Sequence, residues 1–291
     1  MTTPRVPVPR VSLVLPVYNG ARYLGEALAS IAGQGFADYE LICVDDASTD
    51  GSPAMLAAAA AADPRVHYVR LGTNVGLPAA LNTGFARARG DYFSWTSDDN
   101  ILRPQMLERL VAALDAQPDC DVVHSDYSII DPDGALVERI ATGPVADLLL
   151  GNNVGASFLY RRSVDFAFGG YDPDLFGAED YDFWLRAAAH CRFHHVAEDL
   201  YLYRKHGRSL TNSRAAAIQA MTTAIVLRAA TGQITAQRRA EVLIDQFLRN
   251  YFRLRADLLL RAIRLAPLAV LRCTPALLWH AVRVLRHQTF M

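Results

Sequence analysis

The chain has 291 residues, 52% of them hydrophobic and 20% charged, enough for one large domain, or a medium domain with an appendage, around a real core. Its formal net charge of −1 hides an asymmetry: residues 204–291 hold 15 Lys and Arg against 3 Asp and Glu, while the residues before them hold 14 against 27. A split of that size implies two regions with different neighbours. Cys43, Cys120, Cys191 and Cys273 share no short spacing, which argues against a zinc site or disulfide framework and for reduced thiols in a cytosolic compartment.

The first ten residues lack an apolar h-region, so no secretory leader is expected. The run VSLVLPV at 11–17 is short and contains Pro16, and it reads as a strand. A helix over 22–33 puts Tyr23, Leu24, Ala27, Leu28 and Ile31 on one face. A second strand, 39–46, ends in acids; Ser48-Thr49-Asp50-Gly51 turns, and Pro53 opens a helix through an alanine run. A third strand at 66–71, a helix over 77–87, a fourth strand at 91–96 and a helix over 104–116 follow. This order predicts an α/β fold with a mostly parallel central sheet flanked by helices. Farther on, 121–131 and 135–140 read as a hairpin and 156–162 as another strand. Glu179 begins a helix with Phe183, Trp184, Ala187 and Ala188 on its apolar face. Residues 200–211 read as a short strand ending in a basic loop, and from Ser213 the pattern is helical to the end.

In such sheets ligands bind beyond the carboxyl ends of the strands, and the polar residues gather there. Strand one ends at Tyr18-Asn19, strand two at Asp45-Asp46, strand three at Arg70 and the loop to Asn74, strand four at Asp98-Asp99. The last pair is the sharpest: the apolar stretch FSWT delivers two adjacent, mutually repelling carboxylates. They form either a solvated turn, or a cap for the helix after Pro104, or a seat for something positive.

The segments LPVYNGARYLGEALASI, LICVDDASTDGS, NVGLPAALNTG, TSDDN, AEDYDFWLR and YRKHGRSLT occur in the order seen in family 2 glycosyltransferases of the GT-A fold, and residues 10–212 resemble that family's catalytic domain. The resemblance implies a Rossmann-like GT-A domain over 1–212, with 213–291 a C-terminal helical extension. It implies inverting transfer of a sugar from a nucleotide-diphosphate sugar to an acceptor hydroxyl, sugar or lipid-linked, helped by Mn2+ or Mg2+. A cation held by carboxylates can bridge to the diphosphate and take up charge as the glycosidic bond breaks. On this reading Asp99 and His206 hold the metal, and Asp98 holds ribose or metal; Thr96 and Ser97 stand where the family's first acid often falls. Asp45 and Asp46 contact base and ribose, unless they only close a turn, Asp46 capping through Ser48. Pro16 and Tyr18 lie beside the base, Tyr18 stacking on it or merely lining the rim. Asn74 and Asn82 approach the nucleotide, with Gly76 and Gly84 structural; Leu81 replaces the basic residue the family often places before that Asn. Arg204, Lys205 and Arg208 balance diphosphate charge. Asp180 is the general base that takes the acceptor proton, with Glu179 beside it on the donor, although either acid can instead cap the helix. The helix dipole favours the charged form of Asp180 and burial beside Phe183 and Trp184 opposes it. His194-His195 read as packing, and His67, His124 and His190 show no metal spacing.

The tail mixes leucines with arginines and has no 18-residue uncharged run, so a spanning helix is not expected. Three uses stay open for it: lying on an anionic membrane surface, capping the domain, or making a homodimer. The expected setting is cytoplasmic, with peripheral attachment to the inner face of the membrane, and cell-surface polysaccharide or glycolipid synthesis. No nucleic acid is expected as a partner. A nucleotidyltransferase would need a Gly-rich basic loop where YNGARY stands, and a processive synthase several membrane helices and a Gln-x-x-Arg-Trp motif. A non-catalytic nucleotide- or sugar-binding relative, or a scaffold of a polysaccharide assembly, is the alternative.

Overall fold

A computed structural model describes residues 8–145, 147–207, 214–232 and 234–289. The chain divides into two compact units, one of residues 1–146 and 153–212, the other of 147–152 and 213–291.

In the first unit the four predicted strand–helix repeats form. β1 (Val11–Val17) and β2 (Tyr39–Asp45) are buried at every residue, as strands covered on both faces must be. β3 (Val66–Arg70) is half-exposed, and β4 is Tyr92–Trp95. α1 (Leu24–Ala32) buries Leu24, Ala27 and Ile31. α2 (Ser52–Ala62), opened by Pro53, anchors through Leu56, and α3 is Leu77–Phe85. After the two-residue β5 (Ile101–Leu102), α4 (Met106–Ala116) inserts Met106, Leu107, Leu110, Val111 and Leu114 into the core. Each such fully buried Leu contributes roughly 1.5–3 kcal/mol.

Strands β1 to β4 pair in parallel in the order β3-β2-β1-β4. The sheet then continues through β8 (Phe158–Arg161), β6 (Val122–Ile130), β9 (Phe193–Arg204) and β5. β8 runs antiparallel to both β4 and β6, β9 parallel to β6, and β7 (Leu136–Ile140) closes the predicted hairpin on β6. The Asp131 side chain accepts from the Asp133 and Ala135 N–H groups in its turn.

Three differences from the sequence reading have physical causes. β9 begins at Phe193, seven residues before the expected strand, because pairing with β6 recruits His194 and His195. A helix not anticipated, α5 (Arg162–Phe168), follows β8 directly and stops at Gly169, whose φ of 74° is left-handed. Pro16 lies inside a central strand, where a missing N–H is normally costly. Its backbone faces the same side as Val14, whose carbonyl accepts from Thr96 N. β4 has already ended there, so no ladder bond is lost. β1 and β4 therefore part at Pro16, at the point where the strand order reverses.

The second unit is helical: α7 (Ala215–Ala229), α8 (Ala236–Arg249), α9 (Ala256–Leu265), α10 (Pro267–Arg272) and α11 (Thr274–Thr289), following α6 (Glu179–Ala187) of the first unit. Its core holds Leu243, Phe247, Leu258, Val270 and Leu277. No helix among the described residues is long and apolar enough to cross a membrane, and all four cysteines are unpaired.

Candidate active site

The rim where β1 and β4 part carries the acidic pair. Asp98 is recessed, with the Tyr18 backbone N–H facing its carboxylate. Burial, then the charge of Asp99, push its pKa up to about 7. Gly20 is what lets that carboxylate in: a Cβ there would meet Asp98 Oδ2 at 1.9 Å. Burial also raises Asp99, which His206 partly offsets; Asp99 Oδ2 lies 2.9 Å from His206 Nε2. The His206 ring packs on Tyr23 at 5.0 Å.

The floor of this corner is Arg204, 1% exposed. Its Nη2 donates to Glu26 Oε2 at 2.7 Å, Nε to the Asp99 carbonyl at 3.0 Å and Nη1 to the Pro132 carbonyl at 3.0 Å. Its guanidinium also lies 4.6 Å from the Tyr23 ring centroid. The sequence reading has Arg204 reaching a diphosphate; its donors are instead engaged inward, and it fixes the backbone carrying Asp99. Lys205 follows it with its N–H on the Ile130 carbonyl, and Arg208 lies outside the described residues.

At the tip of β2, Asp45 is fully buried and accepts from Ser48 N at 2.8 Å and the Tyr68 hydroxyl at 3.0 Å, with Arg70 Nε at 3.6 Å. Asp45, not Asp46, therefore makes the bond to Ser48. Asp46 clamps the next loop, accepting from Val75 N at 2.7 Å and Gly76 N at 2.9 Å, while Asn74 Nδ2 reaches the Asp46 carbonyl at 3.3 Å. Gly76 supports this with φ 85°. Asn19 and Ala47 also have positive φ, 55° and 60°, strain that rims of functional sites often hold. Tyr18 is 53% exposed beside them.

Asn82 is read from the sequence as a nucleotide contact, but both ends of its carboxamide are taken: Nδ2 donates to Tyr171 O at 2.7 Å and Oδ1 accepts from Tyr171 N at 2.9 Å. The Tyr171 hydroxyl in turn accepts from Trp95 Nε1 at 2.9 Å. Asn82 thereby ties α3 to the segment that leads into α6. Replacing it with Ala should lower the unfolding free energy by roughly 2 kcal/mol, since two buried backbone groups lose partners, while nucleotide affinity changes little; urea unfolding and a nucleotide titration read the two effects separately.

α6 opens with Glu179 and Asp180. Glu179 is buried, accepts from Gly177 N at 2.5 Å, and is pushed up to about 8 by burial and then by the charge of Asp180. Asp180 is half-buried and accepts from Tyr181 N at 2.7 Å; it lies near Tyr127 and Tyr171, whose phenols are raised chiefly by burial and least by its charge. Phe183 and Trp184 face the aromatic core of Phe158 and Tyr160. His195, expected to be packing, holds Asp126 Oδ1 at 2.7 Å and lies beside buried His124, whose pKa burial pushes down to about 4.

Among the described residues no three His, Cys, Asp or Glu side chains already converge as a metal cage. The donor set still fits a shared cation: two neighbouring carboxylates whose ionisation burial opposes, and an imidazole on one of them. Mg2+ characteristically takes one or two protein carboxylates and completes its shell with substrate phosphates. Sequence reasoning missed Gly20, Tyr23 and Glu26. Gly20 had a signal, the turn after Tyr18-Asn19; Tyr23 and Glu26 had none, since only the fold brings α1 to Arg204.

An α/β sheet whose strand order reverses at an acidic pair is the architecture of the GT-A type. The glycosyl transferase family 2 profile matches residues 12–166, and the chain belongs to that family. It is 32% identical over 74% of its length to the O-antigen biosynthesis protein RfbC of Myxococcus xanthus, covering 17% of that protein. TarS 1–349 of S. aureus, solved with UDP-GlcNAc, superposes with TM-score 0.69 at 18% identity, over 88% of this chain and 79% of that one. The mannosyltransferase PcManGT of Pyrobaculum calidifontis, solved with GDP-Man and Mn2+, gives 0.64 at 20%, over 94% and 79%. The chain spans about a third or less of the length of the curated relatives it first matches.

Proposed function

We propose that residues 1–212 form a catalytic domain that transfers a sugar, with inversion, from a nucleotide diphosphate to an acceptor hydroxyl in surface polysaccharide or glycolipid synthesis. The observation that carries this is the recessed Asp98–Asp99 pair at the switch point, with His206 on Asp99. A cation held by Asp99 and His206, with Asp98 beside it, would neutralise the diphosphate. Family membership and the donors bound by TarS and PcManGT support the reading.

In the step proposed, the acceptor O–H gives its proton to the Asp180 carboxylate as its oxygen bonds the anomeric carbon. The bond from that carbon to the diphosphate oxygen breaks, and the nucleoside diphosphate leaves with the electron pair. The exposed Tyr18 ring covers the base; Asp45, read from the sequence as a base contact, is fully buried with its oxygens on Ser48 N and the Tyr68 hydroxyl, and it holds the turn at the tip of β2 instead. Asp46 and Asn74 shape the loop around the ribose. Burial and the neighbouring Asp180 charge push Glu179 toward its neutral form, which limits the negative charge beside Asp180.

Thermal midpoints with UDP, GDP, dTDP and CDP, each with and without Mn2+, test the donor site. One nucleotide should raise the midpoint, and do so more with metal, because a ligand that binds only the folded state stabilises it by mass action. No shift with any of the four would remove the donor site and turn the reading toward a non-catalytic scaffold.

A further inference from the structure

The helical unit turns the wrong side outward. α8 behaves ordinarily: Ala240, Leu243 and Phe247 face its core, while Glu241, Asp245 and Arg249 lie on the other side, the last two paired at 2.8 Å. The next three helices do not. Eight of the fifteen large apolar side chains exposed among the described residues come from α9, α10 and α11.

On α9, Leu258 and Ala262 are buried, and at helical spacing the opposite side shows Leu260 and Ile263, 56% and 41% exposed, flanked by exposed Arg261 and Arg264. On α10, Val270 is buried while Leu268 and Leu271 stand 69% and 66% exposed beside exposed Arg272. On α11, Leu277, His280 and Val284 are buried, and Leu278, Trp279 and Val282 form one outward arc, 64%, 64% and 49% exposed. Arg283 closes that arc, its guanidinium 4.4 Å from the Trp279 ring. The acid in these helices, Asp257, is paired with Arg255.

We infer that the outward face of α9–α11 docks on an anionic phospholipid surface. An apolar stripe bordered by arginines, with an exposed Trp, matches a helix lying at the acyl–headgroup boundary: the Leu and Trp side chains enter the acyl layer and the guanidinium groups meet phosphates. A second copy of this chain fits less well, because a two-fold interface would set arginines against arginines, and interface cores are depleted of charge. The inference stands apart from the transfer reading and does not depend on it.

The test uses the full chain with vesicles of phosphatidylcholine alone, or with about 30% phosphatidylglycerol. Co-sedimentation should favour the anionic vesicles by about tenfold or more, and about 0.5 M NaCl should weaken binding. Trp emission should shift to the blue on binding, and Trp279→Phe should remove the shift. The pair Leu268→Glu with Leu278→Glu should lose binding by about tenfold or more without moving the thermal midpoint, since both positions are exposed. The set Arg261→Gln, Arg264→Gln and Arg272→Gln should erase the preference for anionic lipid. Equal binding to both vesicles, or none to either, overturns the inference. So does light scattering that shows a dimer which the Leu pair dissociates while vesicle binding stays absent.

Discussion

Asp180→Asn is expected to lower the rate of sugar transfer by about 10²–10⁴-fold, the usual contribution of a positioned general base, while the midpoint shift produced by the donor nucleotide stays intact. The geometry separates the two effects. Asp180 is on the first turn of α6, where its carboxylate lies near Tyr127 and Tyr171. Tyr18 and Asp98, proposed to meet the donor, lie just beyond the ends of β1 and β4. Asparagine keeps the size of the side chain and its acceptor for Tyr181 N, so the helix start should survive. Initial rates with donor and acceptor, alongside nucleotide titrations of the same preparation, decide it. Equal loss of transfer and nucleotide binding would assign Asp180 to the donor instead, and unchanged transfer would remove it from the chemistry.

Asp98→Asn should show the opposite pairing: a more stable protein that binds donor worse. The Asp98 carboxyl is raised in the folded state to about 7, so below about pH 4 it is neutral in both states and has no effect. As pH rises from there to about 7 the unfolded chain loses its proton first, and folding progressively bears the cost of a buried charge. Above pH 7 that cost is complete, about 4 kcal/mol for a rise from 3.8 to about 7. Asparagine removes it and keeps an oxygen that can face Tyr18 N–H, so the midpoint of the ligand-free variant at pH 8 should rise, and the gain should vanish near pH 4. Metal-dependent nucleotide stabilisation should fall by roughly tenfold or more in affinity, as when one of a pair of cation-facing groups is lost. Thermal melts from pH 4 to 8, with and without nucleotide and Mn2+, read both halves. A variant less stable than the parent at pH 8 would mean that Asp98 is an ordinary structural acid.

The two variants together distinguish a site from a decorated rim. If Asp98 and Asp180 served only turns and caps, each substitution would cost stability and neither would separate binding from turnover. The strained Asn19 and Ala47, the tight approach of Gly20 and the raised Asp98 all lie where β1 and β2 end or beside them, which is where stored cost is expected to serve function.

Hydrophobic patterning alone set the alternation of β1 to β4 with their helices, because strands covered on both faces, such as β1 and β2, are continuous apolar runs and helices such as α1 repeat at 3.6 residues. The sequence also placed acids at the carboxyl ends of those strands. Alternation places Asp45, Asp46, Asp98 and Asp99 on one rim whatever the side-chain detail. What the local pattern could not hold was anything set by partners distant in the chain. β9 starts at Phe193 because β6 lies alongside, not because of its own composition. The direction of each polar side chain was likewise a tertiary matter. Asn82 turns to the Tyr171 backbone across 89 positions and Arg204 to Glu26 across 178, so two residues that read as ligand contacts tie distant parts of the chain together. The tail shows the same division. Its mixture of Leu and Arg was legible, but which leucines pack on α8 and which face outward was fixed only when Leu258, Val270 and Leu277 found a common core. A hydrophobic pattern says that a residue can be buried; the surface available after folding decides whether it is.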